Sequence, residues 1–279
     1  MKKILITGHK GFIGSCFLKS LSDEYEIFTS DYKGGDYDPD NLPDLSHIDI
    51  VVHMGAVSST NATNKEEIFH KNIMSTLNII EKAKNAKIIY ASSASTYGSM
   101  TKHKISEHAQ LKPQSLYAKS KAVLDSLVLN YFPHRKIVGL RFFNVCSFHF
   151  EGHKTQPSPT YYFHKQLSET GEIFLFEGSE NIFRDFIYIK DVVDIMNYFV
   201  DNDVTSSLVV NVGTGKPISF EQIADRMISK FGFGKKVYIK KPFDLSNSYQ
   251  TYTEADMSYL RNLGYEADIP DILHYIGEL

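Results

Sequence analysis

Cysteine is scarce in this chain. Two occur among 279 residues, Cys16 and Cys146, both in apolar surroundings. That excludes a disulfide framework and fits a protein of a reducing compartment, so a cytoplasmic location is expected. No apolar run is long enough to span a bilayer, so no membrane association is expected. The chain starts directly on an apolar strand pattern, so no signal peptide is expected. No basic block stands out, and 30 Lys+Arg against 33 Asp+Glu leave a formal charge of −3, so nothing supports nucleic-acid binding. Internal repeats, low-complexity tracts and flexible linkers are also missing. Tryptophan is absent while tyrosine and phenylalanine are abundant; no function attaches to that. What remains is an ordinary globular composition, with length for one large α/β domain or a domain with a smaller appendage.

The first pattern present is a strand, Lys2 to Thr7, followed by Gly8-His9-Lys10-Gly11-Phe12-Ile13-Gly14 and an apolar helix. Glycines at this spacing permit a tight turn and close approach of the backbone to a pyrophosphate. The helix N-terminus then offers free N–H groups and a positive dipole to the anion. A glycine triad alone is weak; between a strand and a helix it meets the context of a dinucleotide site. A second strand, Tyr25 to Ser30, ends at Asp31. A carboxylate there suits ribose hydroxyls and repels a 2′-phosphate, whereas neighbouring Lys33 argues the opposite, so NAD and NADP both stay open.

Strands and helices alternate onward. Residues 34–47 are too short for a full helix and strand, so the second βα unit looks abbreviated. Ile48 to Met54 reads as a strand buried on both faces, ending in Gly55-Ala56-Val57-Ser58-Ser59-Thr60. Ser58, Ser59 and Thr60 could bind a ligand or simply end the strand. A helix over Lys65–Lys84 carries Asn72 among apolar positions, which implies a hydrogen-bonding task. Strand Lys87–Ala91 leads into Ser92-Ser93, and strand Lys136–Phe142 into Asn144. Such alternation predicts a parallel sheet wrapped by helices, with its ligand site at the carboxyl ends of the strands. The second half is less regular: a helix over Thr160–Thr170, short strands at Ile173–Phe176 and Phe186–Ile189, a helix over Lys190–Asp201 and a strand over Leu208–Val212. A capping box at Ser219–Gln222 opens a further helix, and Thr253–Asp256 marks the start of another.

Tyr117-Ala-Lys-Ser-Lys121 is the most informative stretch. Four residues apart in a helix over Tyr117–Tyr131, the phenol and the ammonium lie on one face, one turn apart. A neighbouring ammonium favours the phenolate, and the pair can then take a proton from an alcohol. The pattern also arises by chance as a core tyrosine beside a solvated lysine. The glycine turn and the serines at 92–93 are what favour the chemical reading.

Together these residues resemble the extended short-chain dehydrogenase/reductase family. The fingerprint, Ser93 and Tyr117/Lys121 come in that family's order, and Arg141-Phe-Phe-Asn144 and Arg184 to Asp191 are similar to its nucleotide-sugar enzymes. Within it, the ADP-L-glycero-D-manno-heptose 6-epimerases are most alike, through Gly55 to Thr60, Tyr90 to Gly98, Glu151-Gly-His-Lys154, Leu175 to Asn181, Tyr249-Gln250, Thr253-x-Ala-Asp256 and Leu263-Gly-Tyr265. The resemblance runs nearly end to end.

It implies a Rossmann-type doubly wound parallel sheet over residues 1–145 and 186–212, with a small C-terminal substrate-binding domain from 146–185 and 213–279. It implies a nucleotide-diphospho-sugar substrate, one tightly bound NAD or NADP per chain, a homo-oligomer and no metal. The dinucleotide would lie against Gly8, Gly11, Phe12, Ile13, Gly14, Asp31, Tyr32, Lys33, Met54, Gly55, Ala56, Asn72, Ser92, Tyr117 and Lys121. The sugar nucleotide would meet Ser58, Ser59, Ser93, Asn144, His153, Lys154, Phe176, Arg184 and Tyr249. Tyr117 would be the base, Lys121 its activator, Ser93 the hydrogen-bond donor to the reacting oxygen and Lys154 a second proton-handling group. Four departures bear on this. His9-Lys10 adds bulk and charge to the glycine turn, and the shortened 34–47 region changes the adenine pocket. Tyr32 replaces an asparagine that helps hold a 2′-phosphate, which with Asp31 tilts preference toward NAD. Residues 146–150 replace a loop that lines the sugar.

Overall fold

The computed structural model describes residues 1–99, 103–149, 157–240 and 250–279. Six parallel strands make the central sheet: β1 (Lys2–Thr7), β2 (Tyr25–Ser30), β3 (Ile50–His53), β4 (Lys87–Ser93), β5 (Ile137–Phe142) and, after four short strands, β10 (Leu208–Val212). Their spatial order is β2-β1-β3-β4-β5-β10. The order reverses between β1 and β3, and a crevice opens there beyond the carboxyl ends. A doubly wound sheet with a full second βα unit would carry one more strand outside β2. Here residues 31–49 form none; one bridge, Ser30 to Tyr37, marks the edge. Leu42, Leu45 and Ile48 instead fold under the sheet beside Leu5 and Val51.

Period-two alternation divides the sheet into two faces. Ile4, Ile6, Ile50 and Val52 face α1 (Phe12–Ser20) and α6 (Ile189–Asp201). Leu5, Val51, Ile88 and Tyr90 face α3 (Ser75–Lys82) and α4 (Leu116–Tyr131). The helix expected over Lys65–Lys84 is broken into α2 (Lys65–Phe69), a wide π turn at His70–Met74, and α3. Ser75 N–H reaches back to His70 O there, one residue further than in an α-helix.

A second core joins α5 (Pro159–Thr170), β7 (Glu172–Phe176), α7 (Phe220–Phe231) and α9 (Ile272–Glu278). β6 (Asn144–Cys146) pairs in parallel with β9 (Phe186–Tyr188), β8 (Phe183–Arg184) antiparallel with β11 (Ile218–Ser219), and β12 (Lys235–Ile239) in parallel with β7. The capping box stands as expected, Ser219 and Gln222 bonding each other's backbone N–H. Two expectations change. Residues Thr253–Asp256 do not open a helix: Thr253 is strapped to Phe183, and α8 (Ser258–Asn262) starts only after Asp256, which accepts the Ser258 N–H. The 213–279 stretch is not one unit either, because Leu260, Tyr265 and Ile269 pack into the first core. The two cores are riveted where the Tyr188 and Tyr275 rings stack at 4.3 Å and Tyr275 OH donates to Asp191 at 2.7 Å.

Candidate active site

Thr7, Gly8, Met54 and Gly55 come together at the β1/β3 crevice. A Cβ on Gly8 would stand 2.5 Å from Gly55 N, and one on Gly14 would stand 2.3 Å from Gly8 O, so neither position admits a side chain. Gly8 also has φ +68, a left-handed backbone that glycine adopts without strain. Gly11 N-caps α1 with its own backbone, and Phe12 and Ile13 begin the helix. Behind the turn, Thr7 Oγ1 meets His53 Nδ1 at 2.5 Å and accepts the Gly55 N–H at 3.3 Å, while His53 Nε2 meets Thr76 Oγ1 at 2.9 Å. Burial drives the His53 pKa down to about 3, so the ring is neutral and acts as a spacer between strand ends.

The crevice holds about 530 Å³. One end is lined by Asp31, Tyr32, Lys33 and Lys71, with Pro39 and Leu42 from the shortened segment beneath. Asp31 accepts the Lys33 N–H at 2.9 Å and the Lys10 N–H at 3.3 Å. The Lys10 side chain, which still lines the crevice, reaches across to clasp the Lys33 carbonyl. The Tyr32 hydroxyl donates to Asp40 at 2.8 Å, and the Lys71 ammonium sits 4.6 Å from the Tyr32 ring centroid.

The other end carries Ser93, Tyr117 and Lys121. Ser93 is the last residue of β4, and its side chain accepts the Ser95 N–H at 3.2 Å. Ser115 caps α4, accepting the Ala118 N–H, and sets Tyr117 in the first turn. The Ser93 hydroxyl lies beside the Tyr117 phenol, near enough to favour its ionised form. Lys121 is only 2% exposed; its ammonium donates to Ala91 O at 2.7 Å and lies 5.9 Å from the Tyr117 ring centroid. Lys121 was expected to lower the phenol pKa. In the protein alone, lost solvation raises it, the Ser93 hydroxyl opposes that, and the Asp125 charge adds to the rise. The same burial brings Lys121 down to about 8, with Asp125 opposing. Below that value the pair is a neutral phenol beside an ammonium.

The NAD dependent epimerase/dehydratase family matches residues 4–213. The chain belongs to this family. Solved structures similar to it include the Helicobacter pylori ADP-L-glycero-D-manno-heptose-6-epimerase, 28% identical over 99% of this chain and 94% of that one, TM-score 0.83. The UDP-N-acetylglucosamine 4-epimerase of Methanobrevibacter ruminantium is 22% identical over 99% and 96%, TM-score 0.85. The UDP-glucuronic acid 4-epimerase of Bacillus cereus, solved with NAD, is 24% identical over 99% and 96%, TM-score 0.80. The last two, below 25% identity, speak for the fold alone.

Membership makes this epimerase/dehydratase a nicotinamide-dinucleotide protein, and its crevice fits one: side-chain-free positions at Gly8 and Gly14, and at its rim a buried Ser30 hydroxyl with no partner among the described residues. Two residues assigned to the dinucleotide use their side chains within the chain, although Ser92 still lines the crevice. Asn72 is fully buried in the π turn, and its amide is used within the chain, with Val57 N–H, Val57 O and Ser120 Oγ at 2.7, 3.1 and 2.9 Å. It holds the loop after β3 in place. Ser92 Oγ points inward to Asp125 at 2.9 Å.

Among the substrate residues, Ser58 lines the crevice, while Ser59 accepts the Asn61 N–H. Asn144 donates to Asp185 O and Thr253 Oγ1 at the junction of the two cores. Arg184 is buried in β8, and Phe176 ends β7; neither lines the crevice. His153, Lys154 and Tyr249 lie outside the described residues. Asp185 and Asp125 escaped the sequence reading. Asp185 is fully buried and takes bonds from Thr214 N–H, Thr214 Oγ1, Gly215 N–H and Ala255 N–H. Asp125 had a signal: Tyr117, Lys121 and Asp125 form one stripe at helical spacing.

Proposed function

We propose that this protein epimerises a nucleotide-diphospho-sugar, and that the centre it inverts is C6″ of a nucleotide-diphospho-heptose. The meeting of the Tyr117 phenol, the Ser93 hydroxyl and the Lys121 ammonium at one end of the crevice carries the reading. The end-to-end likeness to a heptose 6-epimerase, with Glu151-Gly-His-Lys154 in the sequence, supports the finer part.

When bound, the dinucleotide supplies a hydride acceptor and donor, so the inversion has no net redox change. The chain's own residues handle protons and position. Tyr117, in its phenolate form, takes the proton of the reacting hydroxyl at its phenolic oxygen and returns it. Ser93 hydrogen-bonds the same oxygen and fixes its distance from the phenol. Lys121, tied to Ala91 O, places positive charge near the phenol, where it favours negative charge formed on the phenolic oxygen. The carbonyl formed at C6″ lies outside the sugar ring, so rotation about C5–C6 exposes its other face. A base fixed on a helix serves one orientation; Lys154 is proposed as the proton-handling group for the other.

The test is incubation of the purified protein with ADP-heptose, followed by proton NMR at C6″. Interconversion of the two C6″ epimers is expected. No change at C6″ with turnover at C4″ of another nucleotide sugar would replace this reading with a 4-epimerase.

A further inference from the structure

α4 is joined to β4 at three successive residues. Tyr90 OH donates to Asp125 Oδ1 at 2.8 Å, the Lys121 ammonium donates to Ala91 O at 2.7 Å, and Ser92 Oγ donates to Asp125 Oδ2 at 2.9 Å. The next residue of the strand is Ser93. A third element closes the grip: Arg141 Nε, from β5, donates to Asp125 Oδ2 at 2.8 Å. Arg141 Nη1 in turn donates to Tyr97 OH at 3.0 Å and to Glu107 O at 3.1 Å, and Tyr97 OH donates to Asn211 of β10 at 2.6 Å. Asp125 is 1% exposed and Arg141 3%.

We infer that Asp125, clamped by Tyr90, Ser92 and Arg141, is a positioning residue that sets the register of Tyr117 against Ser93 and fixes the charge facing the phenol and Lys121. The inference rests on the epimerase reading above, in which those groups handle the proton. A helix lying on a strand can slide along it, because apolar contacts are not directional. Hydrogen bonds to residues 90, 91 and 92 are directional, and a slide of one residue would break all three. The carboxylate repeats two turns after Tyr117 and one after Lys121, so the grip acts along the helix that presents both. Its charge raises the proton affinity of Tyr117 and of Lys121. The other titratable groups around the cluster are Tyr90, Tyr97, Glu107, Arg141 and, toward Lys121, neutral His53.

Two substitutions separate charge from position. Asp125→Asn keeps the shape and removes the charge; Asp125→Glu keeps the charge and displaces the grip by one methylene. Ionisation of Tyr117 is read by ultraviolet difference titration of each protein against its Tyr117→Phe counterpart, with no sugar present. Turnover is read separately with ADP-heptose. In Asp125→Asn the Tyr117 midpoint is expected to fall by roughly half to one pH unit. In Asp125→Glu the midpoint should stay within about 0.3 units while kcat falls at least about tenfold, with KM within about threefold. An unmoved midpoint in the asparagine variant makes Asp125 an ordinary core ion pair and overturns the inference. So does an unchanged kcat in the glutamate variant, which decides alone if the asparagine variant fails to fold. If the wild type leaves ADP-heptose untouched, the epimerase reading fails by itself, and the sugar-free titration still judges the charge that Asp125 sets.

Discussion

Asp191 offers an energetic test that needs no substrate. It lies in the first turn of α6, 5% exposed, with one oxygen on Tyr275 OH at 2.7 Å and the other without a hydrogen-bond partner among the described residues. Burial, with Asp194 and Asp268 nearby, pushes its pKa up from 3.8 to about 6, against the Tyr275 bond and Lys190. The sign follows from linkage. The native state binds this proton more tightly than the unfolded chain, so its contribution is intact below pH ~4 and is lost as pH rises through ~6. Integrating between those values gives a loss of about 1.4 kcal/mol between pH 5 and pH 8. Asp191→Asn removes the titration and keeps an acceptor for Tyr275. The variant should therefore gain stability over the wild type as pH rises, by about 1.4 kcal/mol from pH 5 to pH 8, or about 3 to 5 °C in Tm for a chain of this size. Paired urea or thermal melts at the two pH values measure it. A difference between variant and wild type that does not change with pH would refute the argument, and with it the notion that this junction buries an ionised carboxylate at neutral pH.

Four further outcomes bear on the crevice. Tyr117→Phe should cut epimerisation by about 10² to 10⁴-fold and leave dinucleotide binding within about twofold by calorimetry; full activity would remove the assigned base. Asp31→Asn should raise affinity for NADP relative to NAD by about tenfold, because a charge that repels a 2′-phosphate is gone; an unchanged ratio would place that phosphate elsewhere. Gly14→Ala puts a methyl 2.3 Å from Gly8 O and should weaken dinucleotide binding at least about tenfold in a calorimetric titration. Lys154→Ala should cripple inversion, read by NMR, while partial hydride transfer, read at 340 nm, survives; unchanged inversion would return Lys154 to an ordinary surface lysine.

The parallel sheet was legible because its signals are local. Tyr25–Ser30 and Leu208–Val212 are short runs rich in β-branched and aromatic residues with clear ends, and they stand as the sequence implies. So does the capping box at Ser219, whose two bonds lie within four residues. The glycine turn was legible for the same reason. β8 and β11, at two residues each, were not, because pairing partners hold them rather than any pattern of their own. The start of α8 was misread since Thr253-Glu-Ala-Asp256 looks like a helix cap, whereas the Thr253 hydroxyl bonds Asp185 N–H and Asn144. Tyr117 and Lys121 could be placed on one face, yet the sign of the phenol shift could not. It depends on how much solvent the fold removes, and that quantity has no sequence signature.

Asn72, Lys121 and Asp125 make one physical argument. Helical periodicity treats a polar residue among apolar ones as an interruption, and burying an unpaired amide, ammonium or carboxylate is costly. All three are buried to 2% exposure or less, and each is held by bonds to residues distant in sequence: Asn72 to Val57 and Ser120, Lys121 to Ala91, Asp125 to Tyr90, Ser92 and Arg141. Every one of those partners lies on the loop after β3, on α4 itself, or on the strands β4 and β5 that face it. The burial of these three is therefore gathered around the helix that carries Tyr117. It gives up regular helix geometry at residues 70–74 and solvation at three side chains, and gains a fixed position for one phenolic oxygen. A protein that only stored the dinucleotide would have no need of that exchange, because the glycine turn joins β1 to α1 and Asp31 follows β2.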